Sequence, residues 1–220
     1  MARAFLFDLD GTLLDSEILW VDAVRQALVE EGRPVTAGAA LELVYGKSWG
    51  DIYAQVCSDY PGAYPSRDAM SERTRQLFEE LRRTRDIRIE SSIRLLAALG
   101  ARYPVAIVSG SSRRMIAESI AFMGIEPYVR LYVGSEDYPA GKPDPACFLL
   151  AARLLGVPPA ACVVFEDSAA GVHAAKAAGM RCVALRRPGR PPQDLSAADE
   201  VLADLGEFRV ERDAEDGAGR

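Results

Sequence analysis

Short apolar runs recur along the chain, and each run leads through a polar turn into a helical pattern. The runs lie at Ala4–Phe7, Val105–Val108, Leu131–Val133, Cys162–Phe165 and Cys182–Leu185. The first, second and fourth are almost continuously apolar, which is typical of strands covered on both faces. Helical periodicity follows the later runs, at Arg113–Met123, Pro145–Leu155 and Ala169–Ala178. This alternation predicts an α/β fold with a doubly wound parallel sheet.

The stretch between the first two strands does not show this alternation of strands and helices. It shows helical periodicity only, for example at Ile18, Val21, Val24 and Leu28, until a helix over Ser91–Leu99 returns the chain to the sheet. We therefore predict a core of residues 1–15 and 86–210 and an inserted all-helical domain of residues 16–85. Residues 211–220 are charged and rich in glycine, so they have little to bury and are predicted to be a disordered tail.

Composition and charge limit the possible partners. The 220 residues are 49% hydrophobic and 26% charged, as in globular proteins, and the net charge is −6. This acidic balance argues against a nucleic acid or an anionic membrane as partner, because both require a basic surface. No apolar run approaches the roughly 20 residues of a membrane span. We therefore expect a cytoplasmic protein, and the sequence leaves open whether it is a monomer or a dimer.

The cysteines and the single histidine exclude several kinds of catalytic and metal site. The four cysteines are scattered without a CxxC pair, and three of them lie in apolar stretches, so we expect reduced thiols. His173 is the only histidine. A histidine-based catalytic triad and a multi-histidine metal site are thereby excluded.

Polar residues follow the predicted strands at the point where each strand ends. Ligands bind outside the carboxyl ends of the strands in open parallel sheets, so these residues are the candidate site. The segments are Asp8-Leu9-Asp10-Gly11-Thr12, Ser109-Gly110-Ser111-Ser112, Gly141-Lys142-Pro143-Asp144-Pro145 and Glu166-Asp167-Ser168. Turn formation and helix capping are the structural alternatives for them.

Four carboxylates, those of Asp8, Asp10, Glu166 and Asp167, are thus expected at one edge of the sheet. Like charges about 4 Å apart repel by about 4 kcal/mol at an effective dielectric of about 20, so the group requires a cation. Oxygen ligands with room for water favour Mg²⁺.

A bound Mg²⁺ would favour a phosphate as ligand, and the neighbouring segments contain groups that can bind a phosphate. The Ser109 hydroxyl can donate to it. We expect the amides of Gly110 and Ser111 to face outward at a helix N-terminus, where anions are stabilised. Lys142 adds a positive charge.

Four motifs in this order resemble the haloacid dehalogenase superfamily, in its phosphatase and phosphomutase branch. They are DLDGT at Asp8–Thr12, VSGS at Val108–Ser111, GKPDP at Gly141–Pro145 and FEDSAAGVHAAKAAGM at Phe165–Met180. The resemblance spans residues 4 to about 206. The resemblance implies a Rossmann-like core that carries the active site. It also implies that the inserted helical domain is a cap over that site.

The resemblance also implies a role for each aspartate. Asp8 would be the nucleophile that forms an aspartyl-phosphate, and Asp10 would protonate the leaving oxygen and then deprotonate the attacking water. The Asp8 carboxylate, the Asp10 carbonyl and Asp167 would bind Mg²⁺, with Glu166 as a further ligand or a supporting residue. Ser109, Gly110 and Lys142 would bind the phosphate.

In the cap, Gly46, Lys47 and Trp49 lie where related proteins place a loop that reaches over the active site. We predict that they contact the substrate. The structural alternatives are a solvated lysine and, for Trp20 and Trp49, packing within the cap.

The expected activity is hydrolysis of small phosphate monoesters, of the sugar phosphate or phosphoglycolate type. A β-phosphoglucomutase-like activity is the nearest alternative, but Trp49 stands where those mutases have an arginine and Trp20 where they have a histidine. Dehalogenase relatives lack the second aspartate, and Lys47 falls a few residues from the position a phosphonatase requires. A phosphorylated receiver module is an alternative of another class, but receivers lack a helical insert.

Overall fold

A computed structural model of the chain describes residues 2–45, 47 and 49–210. The predicted tail at 211–220 lies outside the described residues. Two compact units divide the chain after Leu14 and after Ile87. The first unit contains the sheet, and the second, Asp15–Ile87, contains helices and connecting turns.

The first unit is built on a parallel six-stranded sheet. Its strands follow the order β3-β2-β1-β4-β5-β6. They are β1 (Ala4–Phe7), β2 (Val105–Val108), β3 (Leu131–Val133), β4 (Cys162–Glu166), β5 (Arg181–Leu185) and β6 (Glu200–Leu202). This order places β1 in the interior of the sheet, between β2 and β4, and confirms the α/β, Rossmann-like fold class.

Side chains alternate between the two faces of the sheet, and helices cover both. Ala4 and Leu6 point into one apolar core with residues of α7 (Ala146–Leu155) and α8 (Ala169–Ala177), while Phe5 and Phe7 contact aromatic rings on the other face. The helices of this unit are α5 (Glu90–Gly100), α6 (Arg113–Met123), α7 (Ala146–Leu155) and α8 (Ala169–Ala177). Because both faces are covered, the central strands are fully buried and continuously apolar, as their sequences predict.

The second unit contains α1 (Ser16–Glu30), α2 (Ala37–Val44), α3 (Trp49–Asp59) and α4 (Arg67–Thr84). Thr36 caps α2 and Ser66 caps α4, each accepting a hydrogen bond from the amide three residues later. The apolar residues that set the helical period of α1 lie in the core of this unit, with Val21, Val24 and Leu28 almost fully buried. Assigning this unit as a cap remains a prediction.

Two further expectations concern the whole chain. Cys147, Cys162 and Cys182 are buried free thiols and Cys57 is an exposed one, so the expected reduced cysteines are confirmed. Within residues 2–45, 47 and 49–210, the helices are all too short or too polar to cross a bilayer.

Candidate active site

The predicted core residues lie together at the carboxyl ends of three adjacent strands. β1 leads directly into Asp8, β2 into Ser109 and β4 into Asp167. Backbone hydrogen bonds hold the residues that follow the strands: the amide of Asp8 donates to the carbonyl of Phe165 at 2.9 Å. Since β2 and β4 both pair with β1, residues far apart in sequence meet at one edge of the sheet.

Lys142 joins two of the carboxylates. Its Nζ donates to Asp8 Oδ1 at 2.6 Å, to Glu166 Oε1 at 2.6 Å and to the carbonyl of Val108 at 3.2 Å. An ammonium group has three N–H donors, so each has an acceptor here. The Phe148 ring lies beneath the ammonium, with its centroid 5.0 Å from Nζ.

The local charges explain the titration of this ion pair. The pKa of Asp8 is raised to about 8, because burial, the largest cause, together with nearby Glu166 and Asp10 outweighs the lowering by Lys142. Burial lowers the pKa of Lys142, but Asp8 and Glu166 more than reverse this, so the net shift is upward. One ammonium therefore does not balance the negative charge of this site.

Three buried residues have carboxylate oxygens close enough to share a cation. One oxygen each from Asp8, Glu166 and Asp167 lies within 4.8 Å of the other two. A hard divalent cation fits this group of oxygen ligands. Its positive charge would offset the cost of burying the ionised Asp8 carboxylate.

Glu166 already has protein donors on both carboxylate oxygens. Oε1 accepts from Lys142, and Oε2 accepts from the amides of Asp167 and Ser168, each at 2.9 Å, and from the Ser168 hydroxyl. A Cβ on Gly171 would lie 1.7 Å from Oε1. Gly171, in the first turn of α8, therefore leaves the space in which the Glu166 carboxylate lies.

Asp167 is held against the first loop. The Thr12 hydroxyl donates to Asp167 Oδ1 at 3.4 Å. Gly11 has a φ of +96°, and a Cβ there would lie 2.0 Å from Asp167 Oδ2. Both the backbone conformation and the close approach therefore require glycine in the DLDGT motif.

Asp10 contacts the loop that follows β2. Its Oδ2 accepts from the Ser109 hydroxyl at 3.1 Å and from the Ser111 hydroxyl at 2.8 Å. The expectation that the Ser111 amide faces outward is wrong, because this amide donates to Ser109 Oγ at 2.9 Å.

Protein groups occupy the N-terminus of α6, which was expected to be open to a phosphate. Ser112 caps the helix by accepting from the amide of Met115. The amide of Arg113 donates to both oxygens of Glu136, at 3.2 and 3.0 Å. Of the two predicted amides, Gly110 alone makes no hydrogen bond to the described part of the chain.

The predicted cap residues lie in the second unit. Lys47 and Trp49 line a cavity of about 470 Å³ there, together with Trp20 and Arg75, while Gly46 lies outside the described residues. The rings of Trp20 and Trp49 are 5.9 Å apart, and the Trp49 indole donates to Ser71. The tryptophans thus both pack in this unit and border its cavity.

Sequence reasoning missed three residues that support the site. Tyr138 donates a hydrogen bond to the carbonyl of Ser109, Phe148 lies under Lys142, and Glu136 caps α6. Phe148 lies in the first turn of α7, shortly after the loop that contains Lys142, and this short spacing is a signal the sequence offered. Tyr138 and Glu136 lie in the loop after β3, where no periodic pattern identifies them.

Several known proteins are similar to this chain over most of its length. A family model described as haloacid dehalogenase-like hydrolase matches residues 2–179. Hexitol phosphatase A of Escherichia coli is 34% identical over 210 residues, which are 94% of this chain and 94% of that protein. The bifunctional riboflavin kinase/FMN phosphatase of Arabidopsis thaliana is 31% identical over 225 residues, covering 96% of this chain. The chain spans 56% of that relative's length.

A solved structure is similar over both units. It is a HAD family hydrolase from Deinococcus radiodurans with bound phosphate and sodium, 28% identical to this chain. The TM-score is 0.76, and the similarity covers 91% of this chain and 90% of that one. With the family model matching most of its length and a curated relative at 34% identity, the chain belongs to the haloacid dehalogenase-like hydrolases.

Proposed function

We propose that this enzyme is a Mg²⁺-dependent phosphatase that hydrolyses small phosphate monoesters through an aspartyl-phosphate. The observation that carries the proposal is the Lys142 ammonium, which lies 2.6 Å from both Asp8 and Glu166 inside a buried group of carboxylates. The name of the 34% identical hexitol phosphatase supports a sugar phosphate as the class of substrate. Phosphoglycolate, a smaller ester, is the alternative substrate.

Asp8 is the proposed nucleophile. Lys142 holds its Oδ1 from one side, which orients the carboxylate and favours its ionised form. A carboxylate oxygen of Asp8 attacks phosphorus, the bond from phosphorus to the ester oxygen breaks, and an acyl phosphate remains on Asp8. Water then attacks that phosphorus, the bond from phosphorus to the Asp8 oxygen breaks, and inorganic phosphate leaves as the Asp8 carboxylate is regenerated.

Asp10 is the proposed acid and base. It delivers a proton to the leaving alkoxide in the first step and takes one from the attacking water in the second. The hydroxyls of Ser109 and Ser111 both donate to its Oδ2, which fixes the carboxyl group near the nucleophile.

The metal would be held by Asp8, Asp167 and the backbone carbonyl of Asp10. Glu166 belongs to the same oxygen group, although donors on both of its oxygens favour a supporting role. When bound, Mg²⁺ supplies positive charge that offsets the carboxylates and the phosphate.

Ser109, Gly110 and Lys142 are the proposed phosphate-binding residues. Gly110 offers an amide that the described chain does not use, and a Cβ there would meet nothing within 4 Å. The fold thus does not require glycine at this position for packing. Close approach of a ligand to the backbone is a reason for it.

We assign substrate selection to Gly46, Lys47 and Trp49, together with Trp20. Indole faces pack against sugar rings, and Lys47 can donate to a hydroxyl or a phosphate. Trp20 and Trp49 are the only tryptophans of the chain, and both line the cavity of the second unit. Quenching of tryptophan fluorescence by the substrate, and its loss in Trp49→Phe, would therefore test this assignment directly.

The activity is tested by a phosphate-release screen over phosphorylated metabolites with and without Mg²⁺. Asp8→Asn is the blank, and we expect it to abolish turnover. Asp10→Asn should lose roughly 10²–10⁴-fold in rate, the usual contribution of a positioned acid and base. Near-normal turnover by Asp8→Asn would rule out the covalent route.

The same screen separates the alternatives. A phosphomutase would yield an isomeric phosphate ester, whereas a phosphatase releases inorganic phosphate. A receiver-like module would stop after one phosphorylation per chain. Sustained multiple turnover with stoichiometric phosphate release supports the proposed hydrolysis.

A further inference from the structure

The loop after β3 contacts the loop that contains Gly110. The Tyr138 hydroxyl donates to the carbonyl of Ser109 at 3.0 Å, and the amide of Ser135 donates to the carbonyl of Ser111 at 3.0 Å. Both carbonyls that flank Gly110 in sequence are therefore fixed by one short segment, residues 135–138.

A fixed carbonyl also fixes the next amide. The peptide unit is planar and trans, so the C=O of Ser109 and the N–H of Gly110 point in opposite directions from the same plane. Turning the Ser109 carbonyl toward Tyr138 therefore directs the Gly110 N–H away from Tyr138. That N–H makes no hydrogen bond to the described chain, so it is available to a ligand.

Tyr138 is itself held in place. Its ring is half-buried and packs against the core formed by the sheet, α7 and α8. Burial, together with nearby Cys147, raises the pKa of Tyr138, so the hydroxyl keeps its proton. Nearby, Asp137 accepts from the amide of Gly134 and from Arg113, each at 2.8 Å, which stabilises the turn before Tyr138.

We propose that Tyr138 is a positioning residue that aims the Gly110 amide at the phosphoryl group. This inference rests on the proposed function, since it takes the phosphate-binding role of Gly110 from there. Tyr138 does not itself touch the substrate. Its hydroxyl determines the orientation of one peptide plane, and that plane carries the donor.

The test is Tyr138→Phe, which removes the hydroxyl and keeps the ring. Binding of inorganic phosphate is measured by calorimetry on the Mg²⁺-loaded protein, together with kcat and KM for the best ester of the screen. We expect phosphate affinity and kcat/KM both to fall by about tenfold, the effect of losing one well-placed hydrogen bond. The melting temperature should change by no more than a few degrees.

Tyr103→Phe is the matched control. Tyr103 lies in the same unit, where its ring contacts Phe5 edge-on at 5.2 Å, and it precedes β2 at the opposite end of that strand from Ser109. It should leave phosphate affinity and kcat/KM unchanged. A purely structural role of Tyr138 would instead lower the melting temperature and leave the affinity of the folded protein unchanged.

The outcomes separate this inference from the proposed function. Equal phosphate affinity in wild type and Tyr138→Phe overturns the positioning role even if the enzyme hydrolyses esters. Failure of the wild type to bind inorganic phosphate overturns it as well. Weaker phosphate binding by Tyr138→Phe in a protein that hydrolyses no ester supports the positioning role and refutes the phosphatase.

Discussion

The Nζ of Lys142 lies 2.6 Å from Oδ1 of Asp8, although the two residues are 134 positions apart in the sequence. Glu166 Oε1 accepts from the same nitrogen at the same distance. Lys142 therefore separates two buried carboxylates that would otherwise repel each other across a short gap. Its loss should affect stability and catalysis together.

Lys142→Met should abolish most activity and destabilise the protein at pH 8. Removing one partner of a buried ion pair costs about 3–5 kcal/mol, so the melting temperature should fall by roughly 10 °C. The loss should be smaller at pH 5, because Asp8, whose pKa is raised to about 8, is then protonated and no longer repels Glu166. Melting curves at both pH values check this.

Lys176→Met is the matched control for that experiment. Lys176 pairs with Asp199 at 2.7 Å, but both side chains are about a third exposed. Exposed pairs contribute little, so this variant should melt within a few degrees of the wild type at either pH. Equal losses for the two variants would contradict the central role of Lys142.

Thiol reactivity should follow burial in this chain. Burial raises the pKa of Cys162 to about 11 and that of Cys182 to about 12, and Cys147 is shifted in the same direction. A thiol reagent should therefore modify one cysteine of the native protein, Cys57, and all four after unfolding. Cys57→Ser should remove the fast reaction. Rapid labelling of that variant would show that a buried thiol is accessible.

The sequence predicts the apolar strands of the sheet well and misses the more exposed strand at one edge. β1 and β2 end where their apolar runs end, because strands covered by helices on both faces must be apolar throughout, and β3, at one edge, also has its predicted bounds. β6 (Glu200–Leu202) was missed. It has three residues, none of them fully buried, so no apolar run marks it.

The candidate site shows the same division. The rule that ligands meet the carboxyl ends of parallel strands is enough to bring Asp8, Ser109 and Asp167 together from sequence. The rule does not say from which donor each oxygen accepts a hydrogen bond. The bond from the Ser111 amide to Ser109 Oγ depends on local loop geometry, and no hydrophobic pattern encodes that.

Gly171→Ala should disturb the site through Glu166. The new Cβ would lie 1.7 Å from Oε1, the oxygen that accepts from Lys142, so the carboxylate must move. We expect at least a tenfold fall in kcat and a lower melting temperature, as is usual when a buried network is broken.

Gly38→Ala is the control for this substitution. Gly38 lies in α2, where a Cβ would meet nothing within 4 Å, so the change should leave activity intact and raise stability slightly. Full activity of Gly171→Ala would show that the position of Glu166 is not critical.

The raised pKa of Asp8 predicts a metal-dependent effect on stability. The carboxyl has an ordinary pKa of 3.8 when the chain is unfolded and about 8 in the folded, metal-free protein. Between these values the folded state binds the proton more tightly, so the stability present at low pH is lost as the pH rises toward 8. Asp8→Asn carries no such charge and should escape this loss.

In EDTA, the melting temperature of Asp8→Asn should therefore exceed that of the wild type, by more at pH 8 than at pH 5. A difference of 1 kcal/mol corresponds to about 2–4 °C for a chain of this size. Mg²⁺ should reverse the order at pH 8, because it stabilises the wild type by binding the ionised carboxylates. Asp59→Asn, at an exposed helix end, controls for the substitution. A pH-independent difference, or one that Mg²⁺ leaves unchanged, would contradict a cation site that includes Asp8.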